Sequence, residues 1–144
     1  MEDFYKLAGS IIYHSQLIEH NLRVIIYLDT RLDQKGRKLR DDEYSAEELL
    51  DVIQKETLGT LINTAQEFNV FNKTDLNYLR SVTPKRNAIA HHYFKDAVLE
   101  KRMENPAEQR IMLNELIGME RDFIHLHNEN LRIITDYEKR GARK

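Results

Sequence analysis

The chain has 144 residues, of which 41% are apolar and 32% charged, with a formal net charge of −2, and this suits one domain, residues 1–144, with a packed core and a charged surface. There is no cysteine, so disulfides and thiolate metal sites are excluded, and the near-neutral charge confines any nucleic-acid contact to a local patch. No apolar run approaches the ~20 residues a bilayer demands, and the Met-Glu-Asp-Phe-Tyr-Lys start lacks the basic and apolar segments of a secretory signal; the expectation is a cytoplasmic protein without membrane contact.

In chain order, the spacing of Phe4, Leu7, Ala8, Ile11, Ile18, Leu22, Ile25 and Ile26 predicts a first helix over residues 3 to 29, with a slip in the stripe near Ser15. The stretch RLDQKGRKLR follows and reads as a loop. It gathers Arg31, Lys35, Arg37, Lys38 and Arg40 against Asp33 alone. Lys35, Arg37, Lys38 and Arg40 are weak candidates for RNA contact, set against the plainer reading of a solvated loop. Ser45-Ala46-Glu47-Glu48 has the form of a capping box, and the apolar stripe from Leu49 to Phe68 predicts one helix, or two if Gly59 divides it.

The next helix is expected at NKTDLNYLRSV, capped by Thr74, with Leu76, Leu79 and Val82 inward. Pro84 either restarts a helix or kinks a continuous one, because proline disfavours helix at the residue before it yet suits a first turn. Asn105-Pro106 predicts a cap and first turn for the last helix, which carries Ile111, Leu113, Leu116, Ile117, Phe123, Ile124, Leu131 and Ile134 out to about Tyr137. With five glycines, two prolines and no strand-like alternation, the class is all-α: an antiparallel four- to five-helix bundle.

Most of the chemistry is concentrated in Arg86-Asn87-Ala88-Ile89-Ala90-His91-His92-Tyr93-Phe94. On a continuous helix, with Arg86 at zero, Asn87 and His91 fall at about 100° and 140°, Tyr93 at about 20° to the other side, and His92 at about 240°. Arg86, Asn87, His91 and Tyr93 are therefore expected on one side, around the small Ala90. A guanidinium fork suits phosphate, an imidazole titrates near neutrality, and an amide orients either. That set matches RNA cleavage through the ribose 2′-hydroxyl, which needs a base, an acid and charge stabilisation at phosphorus but no metal. A two-fold dimer would bring two copies of the one well-placed histidine together. The competing reading is a polar network at a helix contact.

The run resembles the signature of HEPN domains, the higher-eukaryote and prokaryote nucleotide-binding family: an arginine, four to six residues, then a histidine, with a polar residue after the arginine. His91 matches the four-residue spacing and His92 the five-residue one; helical phase beside Asn87 favours His91. The resemblance implies a helical domain that dimerises through its motif-bearing helices and, in many members, acts as a metal-independent endoribonuclease in toxin–antitoxin or phage-defence systems. It implies His91 as the acid/base residue, Arg86 as the phosphate partner and Asn87 as the orienting residue, with no cofactor. The longer run to Tyr93 resembles a toxin subgroup in which a separate nucleotidyltransferase antitoxin attaches AMP to that tyrosine. A non-catalytic dimerisation, partner- or nucleotide-binding module on the same fold is the alternative, and an RNA-binding protein using the basic loop ranks third.

Elsewhere the sequence argues against chemistry. His125 and His127 lie about 200° apart on a helix and cannot grip one metal together. His14 and His20 lack a carboxylate at metal spacing, and Asp41, Asp42 and Glu43 read as a solvated charge run.

Overall fold

The computed structural model describes residues 2–142, and among them every regular element is helical. α1 spans Glu2–Gln34, α2 Ala46–Ile53, α3 Leu58–Glu67, α4 Lys73–His91, α5 Tyr93–Leu99 and α6 Pro106–Ala142, with a 3₁₀ turn at Arg102–Glu104. No helix among the described residues is long and apolar enough to cross a membrane.

Local chemistry sets the boundaries. The expected box caps α2: Ser45 Oγ accepts from Glu48 N at 3.2 Å, and Glu48 Oε1 accepts from Ser45 N at 3.2 Å. α1 runs to Gln34, beyond the expected end, so Arg31 is helical. The Gln34 amide explains the extension, because its Nε2 donates to Tyr44 O at 2.7 Å and its Oε1 accepts from Ala46 N at 3.1 Å, which ties the end of α1 to the start of α2. The second apolar stripe is two helices, but the break falls at residues 54–57, ahead of Gly59. Arg23 reaches across from α1 to donate to Ile53 O at 3.3 Å and Glu56 O at 2.8 Å, so carbonyls left over at that break are satisfied.

α4 begins earlier than expected. Asn72, not Thr74, is its cap, with Oδ1 accepting from Asp75 N at 2.8 Å. The helix continues through Pro84, which denies the Arg80 carbonyl its helical donor without ending the helix. Asn105 caps α6 as expected, accepting from Ala107 N at 2.9 Å and Glu108 N at 3.3 Å.

The helices share one core, to which α1 contributes Ile11, Ile18, Leu22 and Ile26, and α6 contributes Met112, Leu116, Phe123 and Leu126. Ile111, Ile117 and Leu131 of α6 face outward. Neighbours α1 and α2 run antiparallel, as do α3 with α4 and α4 with α6. In α3 and α4, Arg80 bonds Asn63 while Thr83 lies against Gly59; in α4 and α6, the Tyr78 ring meets His125 while Lys85 meets Asp122, so in both pairs the contacts run in opposite order. α1 and α6, by contrast, run parallel. Asn21 meets His127, Asp29 meets Tyr137 and Lys35 meets Gly141, a near-constant offset that only parallel helices give.

The slip near Ser15 is a polar seam between them. Ser15 is fully buried and donates to its own Ile12 carbonyl at 2.7 Å. Asn21 Nδ2 lies 2.8 Å from His127 Nδ1, and the His14 ring stands edge-on to His127 with centroids 6.1 Å apart. Burial first, then the facing His14, pushes His127 below the ordinary histidine range. A group neutral in the folded state that protonates more readily when unfolded costs stability as pH falls below its unfolded value, about 6.5. Urea midpoints measured from pH 7.5 downward are expected to drop below that value, and His127→Gln, which keeps an acceptor for Asn21, is expected to flatten the drop.

Candidate functional site

α4 carries Arg86, Asn87 and His91 on its C-terminal half, and because the helix is unbroken to His91 the 87/91 pair keeps its one-turn relation. Arg86 is half-buried. Its Nη1 donates to Asn87 Oδ1 at 3.3 Å, its Nε is buried without a partner, and no carboxylate pairs with it among the described residues. His91, the last residue of α4, is exposed, and no side-chain hydrogen bond holds its ring among the described residues. A cation without its counter-charge thus stands on the same helix end as a free imidazole. A guanidinium can hold an anion, and an imidazole can move a proton.

His92 is differently placed. It leaves the helix at φ −146°, ψ −10°, forming the joint between α4 and α5, and its Nδ1 lies 3.2 Å from Asp96 Oδ2. Of the two histidines that sequence spacing left open, His91 has its ring free and His92 is engaged.

The joint also corrects the expected position of Tyr93. Extrapolating one helix past residue 92 puts Tyr93 beside Arg86, but Tyr93 opens α5, and the angular argument stops at the joint. Its hydroxyl donates to Glu115 Oε2 of α6 at 2.6 Å. Arg102 bridges Glu115 at 3.6 Å and Glu108 at 3.0 Å. Burial, then the hydrogen bond to Glu115 and its charge, pushes the Tyr93 phenol well above the usual tyrosine range, with Arg102 opposing. Tyr93→Phe is expected to cost about 0.5–1.5 kcal/mol in chemical denaturation, the usual net worth of one hydrogen bond, and not more, because Arg102 remains to pair with Glu115. Sequence reading passed over Glu115 and Asp122, whose partners Tyr93, Tyr78 and Lys85 lie far along the chain, and Arg102, whose pairing with Glu108 depends on the turn between them.

Two cations of the basic stretch are paired with carboxylates. Arg37 grips Glu43 with two bonds of 2.8 and 2.7 Å and Asp33 with two more, to its carboxylate at 2.7 Å and its carbonyl at 3.2 Å, while Arg40 reaches Glu43 at 3.3 Å. The Arg37 guanidinium and the Arg40 backbone N–H hold the Glu43 carboxyl down at about 2. Lys35 donates to Gly141 O at 3.4 Å, and Lys38 alone of the four has no charged or hydrogen-bonded partner among the described residues. Arg37 and Arg40 therefore act first on their own loop. Among the described residues, no three His, Asp or Glu side chains are grouped to hold a metal ion. No protein-family model, no curated protein and no solved structure matches the chain.

Proposed function

We propose that the chain is a metal-independent endoribonuclease of a toxin–antitoxin or phage-defence system, working in the cytoplasm as a homodimer whose helical bundles pair through α4. The observation that carries this reading is the Arg86 guanidinium, without a carboxylate partner among the described residues, on the helix that ends in the free imidazole of His91. In the reaction, His91 of one copy takes the proton from a ribose 2′-hydroxyl as its oxygen attacks the adjacent phosphorus. The P–O5′ bond breaks, and the second copy's imidazole, protonated, supplies the proton to the departing 5′ oxygen. Arg86 balances the charge that builds on the non-bridging oxygens. Asn87, whose Oδ1 already accepts from Arg86, keeps its Nδ2 for the phosphate. The products are a 2′,3′-cyclic phosphate and a 5′-hydroxyl.

Tyr93 fits regulation better than chemistry. Glu115, 2.6 Å from its hydroxyl, is placed to take the phenolic proton if a partner nucleotidyltransferase attaches a nucleotide there. One observation favours the second reading, a non-catalytic dimerisation or nucleotide-binding module: Arg86 Nε is buried, so part of this side chain packs rather than faces solvent. RNA incubated with the purified chain in EDTA separates the two. The nuclease cleaves, with specific activity that rises with protein concentration as dimers form. A module leaves RNA intact, and Arg86→Ala lowers only its dimer stability.

A further inference from the structure

α6 carries a second apolar line besides the one that builds the core. Ile117, Ile124 and Leu131 stand one heptad apart, about 200° round the helix from Glu115 and Asp122, which meet α5 and α4. Ile117 is 39% exposed, Leu131 44%, and Ile124 is half-buried. Where the line borders α1, helical phase continues it with Leu17, Val24 and Leu28, also half-buried. Among the described residues none of these six packs against the core, in contrast to Leu7, Leu113 and Met119. The α1–α6 pair therefore has the core on one side and an apolar strip on the other.

The ends of the α6 line are charged. Arg110 stands one heptad before Ile117, and Glu138 one heptad after Leu131. Both are exposed, and neither has an ion-pair or hydrogen-bond partner among the described residues, although Arg132 and Arg140 of the same helix pair with Glu129 and Asp136. The line reads cation, three apolar residues, anion; turned end for end, it complements itself. Residue 124 is the midpoint. A two-fold axis at Ile124 lays an identical helix antiparallel on the first, with Arg110 against the partner's Glu138 at both ends and Ile117 beside the partner's Leu131. In that register Glu120 comes level with the partner's Asn128 and Arg121 with the partner's His127, so no like charges meet along α6. A parallel pairing would set Arg110, Arg121 and Glu138 each against its own copy.

We infer that a second copy of this chain covers the strip, antiparallel and two-fold, through α6 with α1 at its margin. The line from Arg110 to Glu138 is about 42 Å long, and with the edge of α1 the strip is about 20 Å wide, roughly the 800 Å² per partner of a standard interface. Glu138 at its end counts against an anionic bilayer as the occupant. Each subunit keeps its own core on the far side of both helices and folds without its partner. The face is the one turned away from α4, so the inference stands whether or not α4 pairs or the chain cleaves RNA.

Sedimentation equilibrium of the full chain between about 5 and about 200 μM is expected to show a reversible pairing with a Kd of about 50 μM or below. Arg110→Glu and Glu138→Arg each put like charges at both ends and should weaken it about 10- to 100-fold, with an unchanged circular dichroism spectrum. Losing this step halves the particle, from dimer to monomer or, where α4 pairs as well, from tetramer to dimer; either supports the assignment. The double variant Arg110→Glu/Glu138→Arg restores opposite charges and should return the Kd to within about 3-fold of wild type, a rescue that a parallel pair cannot give. Ile124→Cys, in a chain with no cysteine of its own, should form a disulfide-linked dimer under mild oxidation, well ahead of Asp51→Cys on α2. The assignment is overturned if the chain stays monomeric up to about 200 μM, whether or not it binds vesicles of phosphatidylcholine and phosphatidylserine in equal parts. It is overturned equally if either single reversal leaves the pairing intact, if the double variant is not restored, or if Ile124→Cys cross-links no faster than Asp51→Cys.

Discussion

His91→Ala is expected to lower EDTA-resistant RNA cleavage by about 10²–10⁴-fold, the usual contribution of a positioned acid or base. In a homodimer one substitution removes the proton acceptor and the proton donor together, so this variant should lose the most. Arg86→Ala removes the charge opposite the phosphorane and should cost about 10²–10³-fold. The double variant should be little worse than His91→Ala, because groups that act as one unit lose their function together. His92→Ala is the internal control: its ring is held by Asp96 across one turn of α5, so cleavage should fall by less than about 3-fold. Product analysis should find 2′,3′-cyclic phosphate ends throughout. Cleavage equal in wild type, Arg86→Ala and His91→Ala would remove the nuclease proposal and leave the non-catalytic module.

The largest effect on stability is expected at Phe123, which is completely buried in the core shared by α1 and α6. Phe123→Ala should cost about 3–5 kcal/mol, read from the shift in urea midpoint at constant slope. That is a large share of the roughly 5–15 kcal/mol that holds a domain folded. Leu131→Ala, on the same helix but 44% exposed, should cost less than about 1 kcal/mol. Similar costs at both positions would mean that α6 is packed in another register than the one described.

The contrast between Phe123 and Leu131 shows where sequence reading stops. Both belong to the apolar stripe of the last helix, and periodicity could not tell the buried one from the exposed one in a helix this long and this rich in apolar residues. Most features governed by near neighbours were legible: the Ser45 box, the Asn105 cap, the Pro106 first turn and the inward Leu76, Leu79 and Val82; the α4 cap was not, because Asn72 and Thr74 both have side chains that suit the position. Features governed by distant contacts were not. The length of α1 depends on Gln34 bonding to Tyr44 and Ala46, and the α2 end depends on Arg23 from another helix. At the site, the relation of Asn87 to His91 followed from helical phase alone, because the helix persists through Pro84. The place of Tyr93 did not, because nothing in the identity of His92 announces that the helix ends there. Its actual partner, Glu115, becomes visible only once α6 lies beside α5. Arg37 and Arg40 looked like free charge because Glu43, which binds both, had been read as part of a solvated acidic run.

The parallel packing of α1 and α6 has an electrostatic consequence of its own. Peptide dipoles in an alternating pair oppose and largely cancel, whereas here the two longest helices add theirs, leaving one pole electropositive and the other electronegative. The side chains at those poles have the compensating sign: Glu2, Asp3 and Glu108 in the first turns, Arg31, Lys139 and Arg140 in the last. Each such charge offsets about 0.3–1 kcal/mol at low ionic strength. Neutralising several at one end should therefore loosen this helix pair cumulatively, and added salt should blunt the effect.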